Sequence, residues 1–456
     1  MKPVIPIVIA GTPAAKRAIR KLSDRLAAME RLDSAPNRAR AKRIFGRPLS
    51  PVDVVSRILS DVRTQGDPAL FSYCRKIDGV ALNRTSLRIA SSERKAAYRR
   101  SSPALRAALK KAAARISEYQ KRLMPKNVAL ESAHVGPPGV RTGLRWSPLQ
   151  RVGIYIPGGT AAYPSSVLMN AIPAMVAGVK EIAIATPCAP DGAVSDGVLC
   201  ACEILGLQEI YRMGGAQAIA ALAYGTRSVK AVDKIAGPGN LFVMLAKRAV
   251  FGTVDIDMLA GPSEILIVAD SSAKAGHVAA DLLSQAEHDV LASCVLLTDS
   301  AKLAQSVALE LERQLSDLPR RGIAAAALRD WGVVIITRNV AQSIALANQL
   351  APEHLEIQTR NPRQWLPKLT TAGAIFVGPY ATEPLGDYLA GPSHTLPTGG
   401  TARVFSGLSV YTFLRRSSVI DADAHGLHAL AGSIDVLARA EGLEGHRRAV
   451  EIRRVK

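Results

Sequence analysis

Hydrophobic and polar residues follow two different patterns along the chain, and the change lies near residue 150. Before that point apolar residues recur at helical spacing, as in 52–63 and 101–122, which predicts a mainly helical region. Ser50-Pro51 indicates a helix start, because serine caps a helix N-terminus and proline is tolerated in the first turn. The segment 124–150 is rich in proline and glycine and is predicted to be a loop-rich connection.

From residue 151 onward, short apolar runs alternate with Ala-rich helical segments such as 164–178 and 274–288. The predicted strands are 152–156, 182–186, 209–213, 265–269, 294–297, 333–337 and 374–377. Such alternation is typical of βαβ units, so we expect an α/β fold with parallel sheets and ligands beyond the carboxyl ends of the strands. After about residue 403 the pattern is helical again and ends in a basic tail.

The length and charge of the chain narrow the possibilities further. A chain of 456 residues is long enough for two or more domains and can bury a large core without a metal or disulfides to stabilise it. The net charge is +20, and residues 1–50 alone hold twelve Lys and Arg against three Asp and Glu. Nucleic-acid binding would explain this charge, but the basic segments lack interleaved aromatic residues and instead carry Lys and Arg beside Ala and Leu at helical intervals. A solvated basic helix face is therefore favoured over a nucleic-acid partner.

The apolar runs and the cysteines indicate in which cellular compartment the protein works. No run approaches the roughly 20 apolar residues of a membrane helix, so no membrane association is expected. The N-terminal ten residues resemble a signal peptide superficially, but two prolines interrupt them and a short β-strand is the favoured interpretation; an organellar transit peptide is the minor alternative. Five cysteines without C-x-x-C spacing favour reduced thiols in the cytoplasm, and they are Cys74, Cys188, Cys200, Cys202 and Cys294.

Three glycine-rich turns follow or precede apolar runs: RVGIYIPGGT at 151–160, MGGAQ at 213–217 and AGPGN at 236–240. Turns of this kind expose backbone N–H groups that can hold a phosphate. The G-x-G-x-x-G pattern of dinucleotide-binding proteins is absent, so the turns alone are weak evidence for a nucleotide site.

Two pairs of polar residues are candidates for chemistry. Gln285 and His288 are three residues apart on a predicted helix and would share one face, where an amide oxygen and an imidazole could form half of a metal site. An exposed helix end capped by the histidine explains the same pair. Glu353 and His354 follow a proline, and either could be a general base, although surface Glu-His pairs are common.

Two further segments carry chemical groups near the C-terminus. A long loop punctuated by glycine and proline contains Asp387 and His394, and irregular loops of this length inside compact proteins tend to be functional. The segment EGLEGH contains Glu441 and His446 and, by itself, is typical of a helix end.

Together these segments resemble the histidinol dehydrogenase family from about Ser50 to Arg453, in the family's order. The most specific stretch runs from KIAGPGN (234–240) through GPSE (261–264) to SQAEH (284–288). The resemblance implies an enzyme that oxidises L-histidinol through the aldehyde to L-histidine with two NAD and one zinc ion per subunit. It also implies two Rossmann-like parallel-sheet domains with incomplete dinucleotide-binding topology, a helical N-terminal region and a small helical C-terminal tail.

The same resemblance assigns roles to individual residues. The implied zinc ligands are Gln285, His288, Asp387 and His446. Glu353 and His354 match the family's catalytic pair. The implied NAD contacts are Tyr155, Gln217 and Asn240, and the implied substrate contacts are Ser263, Gln285, His288, His354, Asp387, His394, Glu441 and His446.

The expected organisation is a helical region at 1–150 that contributes to the first α/β domain, an NAD-binding domain at 151–262, a catalytic zinc domain at 263–402 and a tail at 403–456. The resemblance implies a homodimer in which this tail completes the partner's active site. The chain departs from the family at Ser393, where asparagine is expected before His394, which leaves another small polar alcohol, such as a sulfonated diol, as an alternative substrate. The basic N-terminal extension of roughly 45 residues is longer than expected and has no assigned role.

Overall fold

The fold is described from a computed structural model, which covers residues 4–24, 35–132, 138–158, 163–259 and 261–454. Gly159 and Thr160 of the first glycine-rich turn therefore lie outside the described residues. The strands are β1 (Ile7–Ile9), β2 (Val128–Ser132), β3 (Val140–Pro148), β4 (Arg151–Tyr155), β5 (Glu181–Thr186), β6 (Glu209–Arg212), β7 (Lys234–Ala236), β8 (Asp255–Ile256), β9 (Glu264–Ala269), β10 (Ser293–Thr298), β11 (Gly332–Ile336), β12 (His354–Gln358), β13 (Ala374–Val377) and β14 (Leu414–Ala422).

The described α-helices fall between these strands and at both ends of the chain. They are α1 (Pro13–Ser23), α2 (Ala35–Phe45), α3 (Pro51–Gln65), α4 (Asp67–Tyr73), α5 (Arg84–Leu87), α6 (Ser91–Arg100), α7 (Pro103–Arg122), α8 (Pro164–Ala177), α9 (Asp196–Ile204), α10 (Gly215–Tyr224), α11 (Leu241–Val250), α12 (Ala275–Ala286), α13 (Ala301–Leu315), α14 (Arg321–Trp331), α15 (Val340–Leu350), α16 (Glu383–Tyr388), α17 (Ala424–Ala440) and α18 (Glu444–Glu451). A π-helical turn (Cys74–Asp78) follows α4, and short 3-10 turns occupy Pro362–Lys368, Thr401–Arg403 and Val410–Phe413.

Local sequence explains where several helices begin. Ser50 caps α3 by accepting from the Asp53 backbone N–H, with Pro51 in the first turn, as predicted. Thr12 and Ser102 cap α1 and α7 in the same way, and each is also followed by proline. The order of polar cap and proline thus marks three helix starts in the N-terminal region.

Two parallel sheets form the core, and this confirms the predicted α/β class. The first has the order β6-β5-β4-β7-β8, and the second has the order β1-β11-β10-β9-β12-β13. Every residue of β4, β9, β10 and β12 is buried, because helices cover both faces of each sheet. Aliphatic and alanine side chains fill these layers, in keeping with an aromatic content of only 4%.

The N-terminal strand does not join the sheet nearest to it in sequence. β1 pairs in parallel with β11 at the edge of the second sheet, and α1 packs on the same layer as α15. The N-terminal region was expected to contribute to the first α/β domain, and this part of it lies instead on the second sheet. The chain passes from the first parallel sheet to the second between β8 and β9, close to the predicted domain boundary at residue 262. The division of the chain into four regions remains a prediction.

A third, antiparallel sheet was not predicted. β2, β3 and β14 pair in the order β14-β3-β2, so the segment 124–150 contains two strands where a loop-rich connection was expected. The segment after residue 403 likewise begins with short turns and a nine-residue strand before its two helices α17 and α18. The helical C-terminal tail is confirmed, and it is joined to the body through β14 and β3.

Candidate active site

The predicted catalytic pair lies at the amino end of a central strand. Glu353 immediately precedes β12 and His354 begins it, and both side chains are buried. The backbone of Glu264, at the start of the neighbouring β9, contacts both residues: its N–H donates to Glu353 Oε2 at 2.8 Å and its carbonyl lies 2.9 Å from His354 Nδ1. Glu353 Oε2 and His354 Nδ1 are 3.6 Å apart, although successive side chains of an extended segment usually point to opposite faces.

The protonation of His354 follows from this contact. A carbonyl oxygen only accepts, so Nδ1 carries the hydrogen and Nε2 keeps a lone pair. Burial lowers the pKa of His354, which favours this neutral form. Among the residues that the structure describes, Nε2 has no hydrogen-bond partner, and its nearest carboxylate atom is Asp387 Oδ1 at 3.8 Å.

Burial has the opposite effect on the carboxyl group of Glu353. Its pKa is raised well above the usual value, chiefly because the charged form is desolvated, and the Glu264 N–H opposes this only in part. A carboxyl group with a raised pKa beside a neutral imidazole is an arrangement suited to acid–base chemistry.

A group of possible metal ligands adjoins this pair. Ligand atoms of His288, Glu383 and Asp387 all lie within 4.8 Å of one another, with His288 Nε2 3.9 Å from Glu383 Oε1. Burial raises the pKa of Glu383 well above its usual value and lowers the pKa of His288. An imidazole and two carboxylates converging in a partly buried pocket form a donor set acceptable to Zn²⁺.

Gln285 also belongs to this cluster. It is fully buried in the last turn of α12. With the amide assigned the orientation that satisfies both of its ends, the nitrogen donates its two hydrogens to the Glu264 carbonyl and to Glu383 Oε1, each at 3.2 Å, and lies 3.1 Å from His354 Nδ1. The amide oxygen, which is the atom that can bind a cation, therefore faces away from these two acceptors. The helix ends at Ala286, so His288 lies just beyond it; the prediction that both residues share a helix face was wrong, although their side chains approach the same carboxylate.

Glu383 is the principal residue that the sequence analysis missed. It begins α16, four residues before Asp387, and Ser284 donates to its Oε2 at 3.0 Å. Residues at this spacing share one face of a helix, so the pair could have been recognised had the segment been predicted as helical. The proline at 384 and the glycine at 386 favoured a loop instead.

The loop that carries His394 connects the two parallel-sheet units. His394 Nδ1 lies 3.0 Å from the Asp387 carbonyl, and its Nε2 lies 3.0 Å from Ser166 Oγ on α8. Ser393 is buried and its Oγ accepts from the Thr395 N–H at 3.1 Å. The loop thus joins the metal-ligand cluster to the first sheet's helical layer.

The predicted nucleotide contacts line a separate cleft of about 700 Å³ at the carboxyl ends of the first sheet. Tyr155 ends β4 and its hydroxyl accepts from the Gly215 N–H at 3.2 Å, while burial raises its pKa to about 12. Gln217 donates to Asp78 Oδ2 at 2.9 Å, and its Oε1 is buried and, within the described chain, has no partner. Asn240 caps α11 through its Oδ1, which accepts from the backbone N–H groups of residues 242 and 243.

The two sites follow different rules of sheet geometry. The cleft of the first sheet lies where parallel sheets usually bind ligands, beyond the carboxyl ends of strands. The loop after β7 reaches this cleft because Gly237, at φ +112°, lets the backbone pass the Tyr155 carbonyl, where a Cβ atom would lie 2.1 Å away. The catalytic pair lies at the amino ends of β9 and β12, where the rule used on the sequence would not have placed it.

The remaining predicted residues do not all reach the site within one chain. Ser263 immediately precedes β9 and is half-buried. Glu441 and His446 are exposed, Glu441 at the end of α17 and His446 in α18. The principal packing contact of α17 is with α18, and neither Glu441 nor His446 belongs to the His288–Glu383–Asp387 cluster.

Comparison with known proteins identifies the relatives of this chain. The family model described as histidinol dehydrogenase matches residues 49–454. The histidinol dehydrogenase of Moorella thermoacetica is 54% identical over 415 residues, covering 90% of this chain and 97% of that protein, and the one of Bacillus subtilis is 49% identical over 399 residues, covering 88% and 92%. The crystal structure of histidinol dehydrogenase from Elizabethkingia anophelis superposes with a TM-score of 0.87 at 34% identity, covering 99% of this chain and 98% of that one.

Proposed function

Because the chain belongs to the histidinol dehydrogenase family and is an oxidoreductase, we propose that it oxidises L-histidinol through L-histidinaldehyde to L-histidine. The observation that carries this proposal is the buried pair Glu353 and His354 beside the His288–Glu383–Asp387 cluster. An alcohol oxidation followed by an aldehyde oxidation needs a base for the alcohol, a base for water and a means of holding the substrate.

His354 is the proposed base for the alcohol. Its Nε2 carries a lone pair, is buried and has no protein partner in the described part of the chain, so it can accept a hydroxyl proton. The Nδ1–H contact with the Glu264 carbonyl fixes the ring orientation and supports the positive charge that develops on the ring.

Glu353 is the proposed base for the water that attacks the aldehyde. Its carboxyl pKa is raised by burial, so it binds a proton more readily than an exposed glutamate does. The Glu264 N–H holds one carboxyl oxygen, which leaves the other for water. The hydrate formed in this way is again an alcohol, which His354 can deprotonate in the second step.

The donor set supports one zinc ion per subunit. Gln285, His288 and Asp387 are the proposed ligands from this chain, with His446 supplied by the partner; Glu383 holds the Gln285 amide and has an oxygen 3.9 Å from His288. No thiolate is required, since imidazole and carboxylate ligands suffice for zinc. When bound, zinc would hold and orient the substrate's imidazole and amine. His394, whose Nδ1 lies 3.0 Å from the Asp387 carbonyl, is a further proposed substrate contact, together with Ser263 and Glu441.

Two NAD molecules are the proposed hydride acceptors, one for each oxidation step. Tyr155, Gln217 and Asn240 are the proposed contacts in the cleft of the first sheet. Support comes from the buried Gln217 Oε1, an acceptor without a recorded partner that a cofactor hydroxyl or amide could satisfy.

We also propose a homodimer in which α17 and α18 complete the partner's site. Glu441 and His446 are exposed in the single chain. Apolar side chains are also exposed on α17, namely Val436 (66%) and Leu437 (63%), and on the preceding strand β14, namely Ile420 (75%). Exposed apolar residues clustered on one segment mark an interaction surface. A partner bound there would bury them and bring the two polar residues to an active site.

Location is proposed on separate grounds. All five cysteines are free, and four of them are buried. Free buried thiols are typical of proteins that work in a reducing compartment, so we propose the cytoplasm. No helix among the described residues is both long and apolar enough to cross a bilayer.

The proposal is tested by following NADH formation when purified protein is given L-histidinol. Turnover of histidinol, with histidine as the product, supports it; absence of turnover in zinc-loaded protein contradicts it. Ser393 motivates the comparison substrate, because a serine at this buried loop position is smaller than the asparagine expected there. Preferential turnover of a sulfonated diol would favour the alternative substrate class.

A further inference from the structure

The basic N-terminal region contributes a helix to the nucleotide cleft. α2 (Ala35–Phe45) precedes the residues 49–454 that match the family model. One side of it nevertheless lines the cleft that contains the three proposed NAD contacts, through Asn37, Arg40, Ala41, Ile44 and Phe45. The sequence alone assigns no role to this basic extension, but the position of α2 beside the cleft indicates a role in ligand binding.

Apolar and polar contacts hold α2 against the first α/β unit. Ala41 is buried in the same core layer as Tyr73, and the Phe45 ring lies 6.0 Å from the Tyr73 ring. Arg40 Nη2 donates to the Ile77 carbonyl at 3.3 Å, in the π-helical turn that ends α4. Such turns occur frequently at functional sites. The helix is therefore positioned beside the cleft by specific contacts.

The charged residues that line the cleft indicate which part of a ligand α2 would contact. Among the residues lining this cleft, all of them in the described part of the chain, Arg40 is the single cation and Asp78 the single carboxylate. Gln217 donates to Asp78, and Arg40 also attracts this carboxylate, so one positive charge of the lining is partly balanced within the protein. A dinucleotide brings at least two negative phosphate charges, and the cleft lacks the G-x-G-x-x-G turn that usually binds them.

A second cavity of about 530 Å³ adjoins the cleft on the side of Arg40. Among the described residues its lining consists of Arg40, Arg43, Ile44, Lys76 and Ile77, which gives three cations and no carboxylate within that set. All three cationic side chains belong to exposed residues, so a phosphate could reach them from solvent. Arginine matches phosphate geometry through paired N–H groups, and lysine contributes a point charge.

We propose that Arg40, Arg43 and Lys76 form a phosphate subsite of the nucleotide cleft, which binds a phosphate group of the dinucleotide. This inference rests on the proposed use of NAD by the same cleft. The phosphate belongs either to the pyrophosphate shared by NAD and NADP or to the 2′-phosphate that only NADP carries. α2 thus supplies, from outside the family's matched region, positive charge that the cleft's other lining residues lack.

The test measures nucleotide affinity in the full-length protein. The variants are Arg40→Gln, Arg43→Gln and Lys76→Gln, and the matched control is Lys42→Gln, since Lys42 is exposed on the same helix but lines neither cavity. Each protein is titrated with NADH, NADPH and adenosine at low and at moderate salt. Loss of one charge-assisted contact is expected to weaken binding roughly tenfold at low salt, and less at moderate salt because exposed charges are screened.

The three titrants separate the outcomes. Weaker binding of NADH and NADPH alike, with adenosine unchanged, supports a pyrophosphate subsite, and weaker binding of NADPH alone supports a 2′-phosphate subsite. Affinities equal to those of Lys42→Gln would overturn the proposal, as would an equal loss for adenosine, which would show a structural effect. If histidinol gives no NADH while NADH binding still depends on Arg40, the proposed function fails and the subsite stands.

Discussion

His354 Nε2 lies 3.8 Å from Asp387 Oδ1, although the two residues come from a buried strand start and from a short helix in a glycine-rich loop. Glu383 and Asp387 both help to raise the pKa of Glu353, and Asp387 also helps to raise the pKa of Glu383, in each case after the larger effect of burial. Several carboxyl groups in a partly buried site need protons or a cation, since unpaired buried charges are expensive. A divalent metal between Asp387 and His288 would meet this need.

Removal of one ligand tests the metal assignment. We expect Asp387→Ala or His288→Ala to abolish histidinol oxidation and to lower the zinc content of purified protein, with the fold intact by circular dichroism. Both side chains are only partly buried, so neither substitution opens a core cavity. Metal analysis and competition with a chromogenic chelator provide the measurement. Glu287→Gln, next to His288 but outside the cluster, is the control; unchanged turnover in either alanine variant would contradict the assignment.

Glu353→Gln separates the two oxidation steps. The amide keeps the size and can still accept from the Glu264 N–H, but it cannot take a proton from water. We therefore expect histidinaldehyde oxidation to fall by about 10²–10⁴-fold, the range for loss of a general base, and alcohol oxidation to fall far less. Single-turnover measurements that start from each substrate would show this, and equal losses in both steps would argue against the water-activating role.

Some strands and helix starts can be predicted because their own residues determine where they begin and end. The predicted run 374–377 has the same bounds as β13, although this edge strand is only partly buried. Residues 152–156 coincide with β4 within one residue, and every residue of β4 is buried. The cap and proline at Ser50 fixed the start of α3 equally well. Such elements depend on their own residues more than on distant partners.

Other parts depend on contacts between distant segments. β3 and β14 pair across the whole length of each strand, and neither is apolar enough to be recognised alone. β12 was missed because its start carries the polar Glu353-His354 pair, whose burial involves residues distant in sequence, such as Glu264 of β9. The family resemblance named the site residues, but the role of Glu383 beside Gln285 and His288 required the structure.

A buried carboxyl pair makes stability depend on pH. Burial, together with neighbouring Asp281, raises the pKa of Glu356 to about 9, and Gln358 donates to both carboxylates. Because the folded pKa lies above the unfolded value, the stabilisation is fully present below about pH 4.3 and is lost as pH rises through 9. Over that window the free energy of unfolding falls by up to about 1.4 kcal/mol per pH unit through this group.

Glu356→Gln removes this titration and keeps a side chain of similar size. We expect the variant to lose less stability than the wild type between pH 6 and pH 8, measured by urea unfolding at one fixed protein concentration. Glu312→Gln, at an exposed position on α13, is the matched control and should follow the wild type. Parallel pH dependence in wild type and Glu356→Gln would mean that Glu356 is ionised in the folded protein.

Mixed dimers test whether the C-terminal segment acts on the partner's site. His446→Ala removes a ligand proposed to come from α18, and His288→Ala removes one proposed to come from the turn after α12 of the other subunit. Each variant alone should be inactive, whereas a dimer with one copy of each has one site with both ligands intact, provided that the ligands come from different chains. Mixing and reassociating the two inactive variants should therefore restore up to about a quarter of wild-type activity, because random reassociation makes half of the dimers mixed and each mixed dimer has one complete site. Size-exclusion chromatography checks that dimers form. If both residues served the site of their own chain, a mixed dimer would hold two defective sites and activity would stay absent.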